Sequence, residues 1–156
     1  AGAGRKAQVV ADTVLTQVLA DNLQNTSGCL FAYRDLATGE TDYAAVSRVL
    51  LLYWNAVKTT WPEAWGKPPT QSRLMHGAGL RAMGKLMDRM MGSIYAESEH
   101  AQEQIEAELS LLRDACAWTS GDWGFGMRWN EIQNVPQHIR LLSNHLIRAY
   151  LGSRQH

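Results

Sequence analysis

No sign of charge dominates this chain: its 156 residues carry 15 Lys and Arg against 15 Asp and Glu, a formal net charge of zero. Phosphate binding through a general electrostatic field depends on clustered Lys and Arg, so this balance argues against a domain held to DNA by overall charge. A local basic face remains open. Cysteine is scarce as well. Cys29 and Cys116 are the only two, each among apolar residues, with no CxxC or Cys/His cluster. A disulfide between them stays open, but a reduced, cytoplasmic protein is the easier reading. No apolar run approaches the ~18 residues that span a bilayer, and no signal peptide is visible, so no membrane partner is expected. Internal repeats and low-complexity segments are absent too.

What is present suits a packed domain. Hydrophobic residues make up 46% of the chain and charged residues 19%, enough apolar surface to bury a core. The length fits one domain. Residues 7–152 are expected to form a single helical domain, with 1–6 an appended or disordered start. Ala1-Gly-Ala-Gly4 opens without Met, so the chain is expected to be a piece of a longer protein.

Apolar spacing predicts a mainly α architecture, a compact bundle of about five helices. Val10, Val14, Val18 and Leu19 mark a helix over 7–23, which Asn25-Thr-Ser-Gly28 breaks. Residues 29–43 admit a short β-hairpin, with Leu30 to Arg34 as a strand and Ala37-Thr-Gly-Glu40 as a turn. Thr41 or Asp42 caps a helix to about Thr60, because Pro62 disfavours helical geometry in Trp61. A further helix follows Ser72 and contains Gly77, Gly79 and Gly84, each costing roughly 1 kcal/mol in a helix interior. Either it starts near Gly77–Gly79, after a separate Arg73-Leu-Met-His76 lead-in, or a neighbouring helix approaches closely. Leu80, Met83, Met87, Met90, Met91 and Ile94 form its apolar stripe. Ser98 is the expected cap of a polar helix ending near Cys116, and Pro136 fits the first turn of the last helix.

Candidate chemistry is thin. Glu97-Ser-Glu-His100 has the spacing of one half of a di-iron motif, but a second E-x-x-H and two more carboxylates are missing. His138 and His145 lie two turns apart, too far to share a metal without a third ligand. There is no Walker loop, and Ser120-Gly121 is no nucleophile elbow. Cys29 and Cys116 read as small hydrophobes with raised pKa. No metal site, cofactor or catalytic residue is expected in this chain.

The last third is denser. Arg128, Trp129, Asn130, Gln133, Asn134, Gln137, His138 and Arg140 crowd around a helix start, and planar polar side chains with an indole suit phosphate or base contacts. The competing reading makes Trp118, Trp123 and Trp129 wedges pinning a loop, with Asn130 and Asn134 satisfying its backbone.

Trp61-Pro-Glu-Ala-Trp65 follows an apolar Leu50-Leu-Leu-Tyr-Trp54 run, and His76-Gly-Ala-Gly-Leu-Arg-Ala-Met83 follows that. With Arg128-Trp-Asn-Glu-Ile-Gln-Asn134 and Ile139-Arg-Leu-Leu-Ser-Asn144, this set resembles the C-terminal helical part of DGQHR-domain proteins. These are the DndB-like proteins associated with DNA phosphorothioate modification. The resemblance covers most of residues 40–151. The pentapeptide Asp-Gly-Gln-His-Arg and any ParB-like core are absent, so no catalytic residue carries over. The resemblance implies a non-catalytic helical domain of a bacterial DNA-modification or restriction-associated protein. It would bind DNA or a partner domain through the Arg128–Arg140 face. Two alternatives stay open: a structural bundle that dimerises through its Met-rich helix, and an accessory part of a nucleotide-hydrolysing enzyme whose active site lies outside this chain.

Overall fold

Side-chain caps start two of the described helices, and a proline stops the first of them. The computed structural model describes residues 19–23 and 28–154. Residues 19–23 are helical; the rest of the helix expected over 7–23 lies outside the described residues. Helix α1 spans Tyr43–Thr60, and the Asp42 carboxylate accepts from the Ala45 N–H at 3.1 Å. It stops where Pro62 pushes Trp61 out of helical geometry, to φ −124° and ψ 63°. Val46, Val49, Tyr53, Ala56 and Val57 form its buried stripe, with Leu50 and Trp54 half-buried beside it.

Helix α2 spans Gly77–Met90, after a 3-10 turn at Arg73–Met75. The first explanation of its glycines holds, and the close approach at Gly79 comes from the preceding turn, not from a neighbouring helix. The helix begins at Gly77, and Gly79 lies against backbone: an added Cβ would overlap the Arg73 carbonyl oxygen and stand 2.8 Å from its carbon. Met83, Met87 and Met90 are fully buried and Met91 nearly so. The Met-rich face is therefore core, and a dimer through that face has no exposed methionine stripe to use.

Helix α3 covers Ala101–Ser110, two residues later than a Ser98 cap implies and ending short of Cys116. The stretch before it is a turn, with Ser98 N–H bonded to Tyr95 O (3.0 Å) and Ala101 N–H to Ser98 O (3.1 Å). A separate 3-10 turn at Arg113–Ala115 carries the chain on to Cys116. Helix α4, Pro136–Arg154, begins on its proline. Helix α1 packs mainly on α3, and α2 on α4. The Tyr53 hydroxyl joins the two pairs, donating to Met83 O at 2.6 Å inside the core.

The hairpin expected near residues 29–43 does not form. Leu30 is fully buried, Phe31–Tyr33 is a 3-10 turn, and a single antiparallel bridge joins Arg34 to Thr41. Asp35 closes the loop too early for a ladder. Its carboxylate accepts from Ala37 N–H at 2.9 Å, while its carbonyl accepts from Gly39 N–H at 2.8 Å. Among the described residues there is no strand. Nor is any described helix long and apolar enough to cross a membrane.

Candidate binding edge at residues 128–140

Indole burial builds this region. Trp118 and Trp123 are each 3% exposed and pack edge-to-face at 5.1 Å, and Trp118 meets Trp61 likewise at 6.1 Å. A tight turn follows Trp123, whose N–H bonds Met127 O at 2.7 Å while its carbonyl accepts from Gly126 N–H. Gly126 sits at φ 83°, a left-handed value that glycine adopts without steric cost. The chain then returns alongside itself, with Asp122 bridged to Arg128 and Trp129 N–H bonded to Gly121 O at 2.9 Å. Trp118 and Trp123 are thus the wedges expected of them, whereas Trp129 is only half-buried.

Arg73 is the side chain that fixes what comes next. It is 9% exposed, and its guanidinium donates to Ile132 O (2.9 Å), Pro69 O (2.6 Å) and Asn130 O (2.7 Å). It also lies 5.8 Å from the Trp129 ring centre, a cation–π distance. Burial pulls its pKa down from the ordinary arginine value. Its own N–H bonds Trp118 O at 2.8 Å, so one residue ties the α2 lead-in to both ends of the closing loop. This corrects the expectation that Asn130 and Asn134 satisfy the loop backbone. Among the described residues neither amide side chain makes a hydrogen bond. Asn134 instead lies over Gly77, where its amide nitrogen is 2.6 Å from where a Cβ would be.

The eight candidate residues lie along one segment, from the Trp129–Glu131 turn into the first turns of α4. Arg128 N–H bonds the Glu131 carboxylate at 2.8 Å, which closes the Trp129–Glu131 turn. Gln133 N–H donates to His138 Nδ1 at 2.9 Å, so that histidine is committed to the backbone. Ile132 is fully buried and pins the middle of the segment. Arg128, Asn130, Gln133, Asn134, Gln137 and Arg140 are exposed, with their backbone held and their side-chain ends turned out of the core.

The other chemical candidates fall elsewhere. His100 is exposed, within 3.4 Å of Glu99 and 3.7 Å of Glu103. Among the described residues no three His, Cys, Asp or Glu side chains converge as a metal set would. Cys29 and Cys116 are free thiols. Burial pushes both far above the ordinary thiol range, and for Cys29 the nearby Asp88 carboxylate adds to it. A thiol held protonated by burial is a weak nucleophile.

His76 is a capping side chain that no sequence pattern flags. It caps α2, its Nδ1 accepting from Ala78 N–H at 3.2 Å. Burial, and then the Arg73 cation, lower its pKa below the ordinary 6.5. The native state therefore binds this proton less readily than the unfolded chain. Stability should be full above pH 6.5, fall as pH drops below it, and level off once native His76 itself protonates. Urea melts at about pH 7.5 and about pH 5 should show that loss. A His76→Asn variant, which keeps a cap acceptor without a titrating group, should show a smaller difference; an identical one would remove His76 from the account.

Comparison with known proteins adds no relative: no family model, no curated protein and no solved structure matches the chain.

Proposed function

We propose that this chain is a non-catalytic helical domain of a DNA-modification or restriction-associated protein, and that it binds duplex DNA through its 128–140 edge. The observation that supports this reading most is the Arg73 brace. It fixes the main chain at Asn130 and Ile132 while Arg128, Gln133, Asn134, Gln137 and Arg140 stay exposed. Held backbone with free polar ends lowers the ordering cost of binding. Arginine and amide side chains are the donors that meet phosphates and base edges. The resemblance to DGQHR-domain proteins points to the same partner.

Duplex binding by the wild type, compared with Arg128→Ala/Arg140→Ala at two salt concentrations, tests this. Every phosphate that the double variant no longer neutralises should flatten the slope of log K against log salt by about 0.9, so it should bind more weakly and less salt-dependently. Equal and negligible binding by both proteins ends the DNA reading. Val135, 41% exposed between Asn134 and Pro136, favours a second reading in which the same edge docks a protein domain.

A further inference from the structure

We infer that the groove between the 123–127 turn and α4 receives an unpaired nucleotide of a bound strand, its base against Phe125 and its phosphate at Arg148. This rests on the nucleic-acid reading above and names what a second part of the surface would hold. The groove has a volume of about 410 Å³, and its lining includes Gly124, Phe125, Leu141, Asn144, His145 and Arg148. That volume suits a small planar ligand. No carboxylate lines it, unlike the cleft at Glu63 and Asp114 or the one at Glu108. An anionic strand is not repelled here.

Each lining group matches one part of a nucleotide. Phe125 is a fixed platform: it lies nearly parallel to buried Trp123 (6.0 Å, 12°), and the His145 ring meets it edge-on at 5.6 Å. Single strands are held largely by such stacking, because every base has a π-face. His145 Nε2 is 2.7 Å from Ala115 O, and a carbonyl only accepts, so Nε2 carries the proton. The other ring nitrogen, Nδ1, has no partner among the described residues and lies on the side of Gly124, where a Cβ would approach to 3.7 Å. Asn144 adds an amide, both donor and acceptor, for a base edge. Arg148 supplies the cation. Among the described residues the side chains of Arg140, Asn144 and Arg148 make no hydrogen bond or ion pair. They share one face of α4 at four-residue spacing, and Arg140 stands about 12 Å along the axis from Arg148. The row links the 128–140 edge to the groove.

Anisotropy titrations with a labelled single-stranded oligothymidylate, its duplex and free thymidine monophosphate test the assignment. Phe125→Leu keeps the apolar contact and removes the π-face; it should weaken single-strand binding about tenfold and leave the duplex unchanged. Arg148→Gln, an exposed change that leaves the core alone, should weaken the strand and reduce its salt dependence. The oligonucleotide should bind at least about tenfold more tightly than the monophosphate, since more than one phosphate is engaged. Unchanged single-strand binding in both variants overturns the groove assignment, and the duplex reading then stands or falls on Arg128 and Arg140 alone. Equal affinity for monophosphate and oligonucleotide overturns the strand in favour of a free nucleotide. No binding of any nucleic acid by the wild type removes both.

Discussion

Arg73→Ala should lower the unfolding free energy by about 3–5 kcal/mol, enough to bring the melting temperature down by roughly 10 °C. The size follows from what is left behind. Three carbonyl oxygens, those of Pro69, Asn130 and Ile132, lose a charged donor at once, and two of them belong to the closing loop. Hydrogen bonds to charged groups contribute about 1.5–3 kcal/mol each, and a buried acceptor stripped of its partner costs a further desolvation penalty. Arg73→Lys should recover only part, because an ammonium is a point charge and cannot meet three separate carbonyls with a planar fork. Denaturant melts of the three proteins, with amide exchange over residues 128–135, would decide it. A loss under about 1 kcal/mol for Arg73→Ala would mean that Ile132 and Trp118 hold the loop without it.

Gly79→Ala should also destabilise, by about 2–4 kcal/mol, although the same change in an ordinary helix interior stabilises by about 1 kcal/mol. The obstacle is main chain. The new methyl would collide with the Arg73 carbonyl and crowd the Leu74 Cα at 3.0 Å, and neither can swing aside as a flexible side-chain tip can. Gly152 is the matched control: it lies in α4 with nothing within 4 Å of an added Cβ. Gly152→Ala should gain up to about 1 kcal/mol. Opposite signs for two helical glycines in one thermal-melt series would show that packing, not propensity, sets the choice at residue 79. A neutral Gly79→Ala would mean that the 73–75 turn relaxes freely.

Much of the helical layout was legible because local rules agree with the packing. Asp42 caps where its spacing says it should, Pro136 opens α4, and the stripes Val46–Val49–Tyr53–Val57 and Ile139–Leu142–Leu146–Tyr150 are the buried faces. Residues 29–43 misled because alternating β-capable residues look alike whether or not a second strand exists to pair with, and the Asp35 turn forecloses that pairing. The region of the candidate binding edge was visible as a density of Trp, Arg and amide residues. Its internal logic was not. Arg73 sits some sixty positions before Ile132, in a stretch with the pattern of a plain helix lead-in, and no local period reports a side chain that crosses the fold to serve carbonyls. The ring cluster at Phe125 was equally silent, since it depends on Trp123 and His145 meeting in space.

The pairing of α1 with α3 and α2 with α4 has a consequence for how the chain can be divided. The partners interleave along the sequence, so any single cut between helices separates at least one pair. No contiguous fragment of these four helices retains both interfaces, and the Tyr53–Met83 bond spans the two pairs besides. Such a weave should melt as one unit instead of piecewise. It also couples α4, which carries Arg140 and Arg148, through α2 and the Tyr53–Met83 bond to α1, far from either in sequence.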